Sequence, residues 1–149
     1  KDMTLESSLF AIWEFGVLPV DDDRVVRTMR AIKEGLSIRT GVGGVARYTN
    51  DYYFQQSGDI EKVPGNPWII CTLWVANYEI ESAQSLSDLE GPKQTLQWVV
   101  DHAMESGVLP EQINPYDGGP LSVAPLTWSH ATFVQSVTKY VKKYRELSR

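Results

Sequence analysis

Residues 107–130 read GVLPEQINPYDGGPLSVAPLTWSH. Glycine and proline are frequent in this stretch and helical patterns flank it on both sides, so we expect a long loop. Loops of this length inside a compact chain tend to be either functional or disordered. Disorder is not expected here because apolar side chains recur along the whole stretch, namely Leu109, Ile113, Tyr116, Leu121, Val123, Leu126 and Trp128.

Glu111 is the candidate for chemistry within this loop. It follows Pro110 directly, and proline fixes its own φ near about −65° and removes one backbone donor. A proline at that position can therefore fix the direction in which the carboxylate points. The alternative is that Glu111 is an ordinary solvated acidic residue, as most lone glutamates are.

The rest of the chain reads as helices. Apolar residues recur at helical spacing in five stretches, and strand signals are confined to short candidate pieces near residues 42–53. The predicted helices are residues 4–15 with Thr4 as N-cap, a second starting at Asp21–Asp23, a third starting at Asn66–Pro67, residues 92–106 closed by Gly107, and a last one from Thr127 or Ser129. Short and long connections alternate, which predicts an all-α fold of αα-hairpins with long functional loops.

An irregular, glycine-rich stretch at residues 37–65 places Arg47 before an aromatic cluster, Tyr48, Tyr52, Tyr53 and Phe54. This combination suits a sugar site, because arginine donates several fixed hydrogen bonds and aromatic faces pack on the C–H faces of pyranose rings. A phosphate loop is disfavoured, since the Gly-x-Gly-Gly run at 41–44 has no Lys-Ser/Thr ending. The alternative is a hydrophobic loop plug with Arg47 in a structural ion pair.

Composition argues against several classes of function. The 149 residues contain 14 Lys/Arg and 19 Asp/Glu, a net charge of −5, whereas a nucleic-acid surface needs a basic stripe. No run approaches the roughly 18–20 apolar residues of a membrane helix.

The single Cys71 reads as a small buried hydrophobe. One Cys with two separated His makes no metal-ligand pattern, so no metal and no cofactor are predicted. The compartment, cytoplasmic or secreted, stays open.

Four segments, taken in their order and spacing, resemble one known family. They are GGVARYTNDYYF at 43–54, GNPWIICTLWVANYEI at 65–80, LPEQ at 109–112 and PLTWSHA at 125–131. Together they look like the C-terminal catalytic region of glycoside hydrolase family 15, the glucoamylase and glucodextranase family. The similarity runs from about Leu5 to Tyr144.

The resemblance implies a fold and a reaction. The family fold is an (α/α)6 barrel of twelve helices, so residues 1–149 would form a single domain that is the C-terminal fragment of that barrel. Family members are exo-acting and invert the anomeric carbon, with one acid on the leaving oxygen and a second carboxylate, roughly 6.5–9.5 Å away, activating water.

Glu111 matches the family's general base, the carboxylate that activates water. The resemblance thus implies an enzyme that releases glucose from non-reducing ends of α-glucans. The family's general acid lies upstream of the region that corresponds to this chain, so Glu14 in the pair Trp13-Glu14 is interpreted as structural. Little or no turnover is then expected from the 149 residues alone, because a missing general acid typically costs about 10²–10⁴ in rate.

Further residues match the family's substrate-binding segments. Arg47 corresponds to an arginine that bonds hydroxyls of the terminal sugar, and Trp68 to an aromatic residue near the same subsite. Trp128 and His130 lie in PLTWSHA, the closing motif of the family's catalytic region, and are candidates to bind substrate. The structural alternative for Trp128 is core packing, and for His130 it is a hydrogen bond to a loop carbonyl. Gln112 is a candidate to orient the base or its water.

The expected partners follow from the same resemblance. They are an α-glucan and the remainder of the parent polypeptide, and unsatisfied barrel edges would favour self-association. Other functions stay open at this level: a non-enzymatic helical module that holds a saccharide or a protein, a trehalase-type member of the family, or a sugar epimerase on a similar helical toroid. The sequence does not decide linkage specificity or a calcium requirement.

Overall fold

The computed structural model describes residues 2–149, in which helices are the main regular structure and alternate with long irregular connections. In chain order they form a 3₁₀ turn at Ser7–Phe10, α1 (Ala11–Glu14), α2 (Asp23–Leu36), α3 (Ile69–Ser82), a second 3₁₀ turn at Leu86–Leu89, α4 (Glu90–Asp101) and α5 (Thr127–Leu147). A two-residue antiparallel ribbon, β1 (Gln112–Ile113) with β2 (Pro120–Leu121), lies between α4 and α5. The predicted all-α class with about five helices is confirmed.

Helix α3 lies at the centre of the core. Every residue from Ile69 to Asn77 is buried, as its nearly continuous apolar sequence predicts. One side of α3 packs in a cluster with α2 and the N-terminal segment, and another side packs with α4 and the long loop. Cys71 is fully buried in the first cluster, and this burial raises the pKa of its thiol to about 12.

The first helix begins at Ser7, so Thr4 is not its N-cap. The backbone just before Ser7 is extended because it pairs with a neighbouring stretch. Thr49 N–H donates to the Leu5 carbonyl at 3.1 Å, and Ser7 N–H donates to the Arg47 carbonyl at 2.8 Å. This pairing uses backbone groups that a helix starting at residue 4 would need for itself.

Helix α3 begins at Ile69 rather than at Asn66–Pro67. Pro67 and Trp68 are extended and each forms a bridge to another stretch of chain. The Asn-Pro pair is a common helix start, but long-range pairing overrides that preference here. Short extended pieces do occur within residues 42–53, as predicted, in the form of isolated bridges.

Helix α4 ends at Asp101, earlier than predicted. Gly107 does not close it. Instead Gly107, at φ 77°, ends a separate turn in which its N–H donates to the Met104 carbonyl at 2.7 Å. The loop that follows therefore starts from a tight turn rather than from the helix itself.

Helix α5 begins at Thr127, as predicted, and leaves large apolar side chains exposed. Trp128 is 55% exposed, Val134 64% and Tyr144 48%. Self-association through unsatisfied barrel edges remains a prediction. No helix within residues 2–149 has the length and apolar character needed to cross a membrane.

Candidate active site

The loop between α4 and α5 is held by two buried anchors on either side of Glu111. Leu109 is 4% exposed and Ile113 is fully buried, both in the cluster that α3 shares with α4. Burial of such a side chain contributes roughly 1.5–3 kcal/mol. The loop is therefore ordered at the point where it carries the candidate base, as its apolar content predicts.

The β1–β2 ribbon brings Ser122 beside Glu111. Gln112 pairs with Leu121 in register, and Glu111 N–H donates to the Val123 carbonyl at 2.9 Å. Ser122 has a φ of 62°, a conformation that costs a non-glycine residue of order 1–3 kcal/mol and that tends to occur at functional sites. In this conformation its hydroxyl donates to Oε2 of Glu111.

The Glu111 carboxylate is partly buried and oriented. Oε2 accepts from Ser122, and the Gln112 side-chain amide lies 3.5 Å from the same oxygen. Among residues 2–149, no donor reaches the other oxygen, Oε1. One carboxylate oxygen thus fixes the orientation, while the other keeps its full capacity to accept a proton.

Arg47 forms a bidentate ion pair with a buried aspartate. Its Nε and Nη2 donate to the two carboxylate oxygens of Asp51 at 2.9 and 2.8 Å. Asp51 is 1% exposed, whereas the Arg47 side chain keeps 33% of its surface exposed. Burial lowers the pKa of Arg47, but the hydrogen bonds and charge of Asp51 outweigh that effect and raise it, so the guanidinium stays charged.

Aromatic rings surround the same guanidinium. Its central carbon lies 4.5 Å from the ring centroid of Trp68, 4.9 Å from that of Tyr48 and 5.6 Å from that of Tyr53. These distances are within the range of cation–π attraction. Trp68 is only 4% exposed, so in this chain it supports Arg47 and offers little surface of its own.

Gln112 links the segment that carries Glu111 to the aromatic loop at residues 48–54. It is fully buried, and its Oε1 accepts from Asn66 Nδ2 at 2.8 Å. Asn66 Nδ2 also donates to the Phe54 carbonyl at 2.8 Å, and Trp68 bridges to Gln112 through the backbone. Arg47, Trp68, Gln112 and Glu111 therefore belong to one connected group.

Trp128 and His130, the two candidate residues of the closing motif, contact different parts of the structure. His130 Nε2 accepts from Leu109 N–H at 3.0 Å, so its partner is a loop amide and not the loop carbonyl that the structural alternative named. Trp128 packs on Trp74, with ring centroids 5.7 Å apart. In the described part of the chain, no hydrogen bond or aromatic contact joins Trp128 to Arg47 or Trp68.

Several residues of this site escaped sequence reasoning. Asp51 lies four residues after Arg47, a spacing that could have indicated the ion pair. Ser122 and Asn66 carry no local signal, because their partners are 11 and 46 residues away and meet them only through the ribbon and the bridges.

Gly65→Ala is expected to disturb the Arg47–Asp51 pair. A Cβ at Gly65 would lie 2.8 Å from the Asp51 Cβ and 3.3 Å from the Ala46 Cβ, and such overpacking costs about 1–3 kcal/mol. Urea unfolding should show this loss of stability. Gly41→Ala is the matched control, because its added Cβ meets nothing within 4 Å. Equal stability of the two variants would contradict the close packing described here.

Other features of the structure bear on the site less directly. Glu14 accepts from Lys139 Nζ at 2.6 Å, a pair with 11% and 24% of the side-chain surfaces exposed, in agreement with a structural role for Glu14. No group of three or more His, Cys, Asp or Glu side chains within residues 2–149 is placed to hold a metal ion. Hollows of about 540 and 470 Å³ are lined by residues outside the predicted site.

Comparisons with known proteins agree on one family. The family model described as glycosyl hydrolases family 15 matches residues 90–138. An uncharacterized glycosyl hydrolase of Methanocaldococcus jannaschii is 34% identical over 143 residues, which is 89% of this chain and 21% of the relative. The isomaltose glucohydrolase of Kribbella flavida is 28% identical over 131 residues, or 80% of this chain and 30% of the relative. The chain therefore spans less than a third of these relatives.

Among solved structures, one of a bacterial glucoamylase complexed with acarbose superposes with a TM-score of 0.78 at 21% identity. The match covers 98% of this chain and 23% of the glucoamylase chain. This likeness establishes the fold. The five helices correspond to part of an (α/α)6 barrel, as predicted.

Proposed function

Because this chain belongs to glycosyl hydrolase family 15, we propose that it forms the C-terminal part of the catalytic domain of an inverting, exo-acting glucosidase, with Glu111 as the general base. The substrate class is an α-glucan or short α-glucoside bound by its non-reducing end. The relative from Kribbella flavida, named for isomaltose, makes an α-1,6 linkage a substrate to test beside α-1,4.

The observation that carries the proposal is the state of the Glu111 carboxylate. Oε2 is held by Ser122, and Oε1 has no donor among residues 2–149. A base must accept a proton from water in a fixed direction, and a positioned carboxylate with one free oxygen meets that need. The water then attacks the anomeric carbon from the face opposite the leaving oxygen, so an α-glucoside gives β-glucose.

Arg47 supports the binding part of the proposal. Its ion pair with Asp51 uses one edge of the guanidinium, and the part that remains exposed keeps further N–H donors. Arginine has five N–H donors in a rigid fork. Since Asp51 and the surrounding rings fix that fork in place, hydrogen bonds to sugar hydroxyls would cost little side-chain entropy.

Trp128, His130 and Gln112 have narrower roles in this proposal. Trp128 is 55% exposed, so its ring can contribute a wall to a sugar subsite. Gln112 orients the base segment through its bond to Asn66, rather than donating to substrate. His130 acts on the loop and is considered further below.

The proposed reaction needs more protein than these residues supply. A ligand site is usually a concave pocket that buries most of the ligand, whereas the hollows of about 540 and 470 Å³ lie elsewhere. The general acid must also come from another part of the polypeptide. We call the assembled unit the complete catalytic domain, and we propose that residues 1–149 act only within it.

Product analysis tests the proposal. The complete catalytic domain is incubated with methyl α-maltoside and with methyl α-isomaltoside, so that the reducing-end unit leaves as its methyl glycoside, and the anomer of the free glucose is read by proton NMR before mutarotation. We expect β-glucose from at least one substrate, and little or no glucose from the 149 residues alone. Initial release of α-glucose, or no hydrolysis of any α-glucoside, would contradict the proposed function.

A further inference from the structure

We infer that Ser129 and His130, in the first turn of α5, are positioning residues that hold the segment Leu109–Glu111 in the geometry that the base requires. This inference rests on the proposed function of Glu111. It gives His130 a role that acts through the loop backbone instead of through substrate, and it adds Ser129 to the site.

The backbone of this segment is bonded at every polar group. Leu109 N–H donates to His130 Nε2 at 3.0 Å, and the Leu109 carbonyl accepts from Leu126 N–H at 3.1 Å. The Pro110 carbonyl accepts from Ser129 Oγ at 2.8 Å. Proline has no N–H to satisfy, so the bonding of these two residues is complete.

Glu111 is bonded on both sides in the same way. Its N–H donates to the Val123 carbonyl at 2.9 Å, and its carbonyl accepts from Ile69 N–H at 3.2 Å, at the start of α3. Five backbone groups over three residues are therefore fixed. Three of them are bonded by other backbone groups, and the remaining two, Leu109 N–H and the Pro110 carbonyl, are bonded by side chains of α5.

Ser129 and His130 bond the loop backbone in different ways. Ser129 is fully buried, and loss of its hydroxyl would leave the Pro110 carbonyl without its donor. His130 accepts through Nε2, which requires the neutral ring with its proton on Nδ1. Together they bind Leu109 and Pro110, the two residues directly before the base, to the first turn of α5.

Helix α5 itself offers a matched comparison. Ser136 is also fully buried and its hydroxyl also donates to a carbonyl at 2.8 Å, but that carbonyl belongs to Thr132 of the same helix. Ser129→Ala and Ser136→Ala thus remove chemically similar buried bonds. Only the first of these bonds acts on the base segment.

Kinetics of the complete catalytic domain test the inference. Displacement of a catalytic group by about 1 Å can cost roughly 10²-fold, so we expect Ser129→Ala and His130→Ala to lower kcat by about 10–100-fold. KM should stay within about threefold, since substrate contacts are kept. Ser136→Ala should retain the wild-type kcat. Ser129→Thr and His130→Gln, which keep a hydroxyl donor and an acceptor oxygen, should recover most of the loss.

The outcomes separate this inference from the proposed function. If wild type is active and Glu111→Gln is not, but Ser129→Ala and His130→Ala match Ser136→Ala in kcat, the positioning role is wrong while the base assignment stands. If Glu111→Gln is fully active, the proposed function itself fails. Thermal melting of each variant identifies any loss due to unfolding. His130 is only partly buried, so its substitution keeps the test informative if Ser129→Ala does not fold.

Discussion

Replacing Glu111 by glutamine is expected to lower kcat of the complete catalytic domain by about 10²–10⁴. Glutamine keeps the size of the side chain, and its amide oxygen can still accept from Ser122. It cannot take a proton from water at neutral pH. KM should change little, because the substitution removes an interaction that is used in the transition state. The measurement is steady-state glucose release at saturating substrate.

Glu105→Gln is the matched control for this experiment. Glu105 is an exposed glutamate in the turn just before the same loop, so its replacement makes the same chemical change outside the site. We expect it to behave as wild type. A Glu111→Gln enzyme with kcat within threefold of the Glu105→Gln enzyme would contradict the assignment of the base.

Arg47→Ala is expected to cause the second large effect, on both stability and substrate affinity. It leaves the Asp51 carboxylate buried without its partner, and breaking a buried pair in this way costs roughly 3–5 kcal/mol. Because one third of Arg47 is exposed, we expect the lower end, about 3 kcal/mol. Loss of charged hydrogen bonds to sugar hydroxyls should also lower kcat/KM by about 10–100-fold.

A double variant separates these two effects of Arg47. Asp51→Asn removes the buried charge at nearly constant volume, so Arg47→Ala combined with Asp51→Asn should regain part of the stability seen by urea unfolding. It should not regain kcat/KM, because the guanidinium is still missing. Recovery of full activity by the double variant would show that Arg47 serves only the ion pair and not the substrate.

The helices could be predicted because their signals are local. The apolar run from Trp68 to Ile80 identifies a buried helix from sequence alone, and α3 is that helix. The two helix starts that were predicted wrongly share one cause. At Thr4 and Asn66, extended pairing with distant residues takes backbone groups that a helix start would use, and no local pattern reports such pairing.

The site shows the same division between local and distant signals. Pro110 before Glu111, and arginine among aromatic residues, are local features, and they led to the segments that the structure connects. Ser122 and Ser129 could not be found in this way, since their partners lie 11 and 19 positions away along the chain. Their partners are set by the ribbon and by the end of α5, which exist only in the folded chain.

The central claim is that Glu111 takes the proton from the attacking water. The most direct test is Glu111→Ala in the complete catalytic domain, with α-glucosyl fluoride as substrate and with or without sodium azide. Azide attacks without losing a proton and so needs no base; the C–F bond breaks as the C–N bond forms. We predict that the variant is nearly inactive in water, and that azide restores turnover with β-glucosyl azide as the product seen by NMR. Wild-type hydrolysis by the variant, or no response to azide, would contradict the claim.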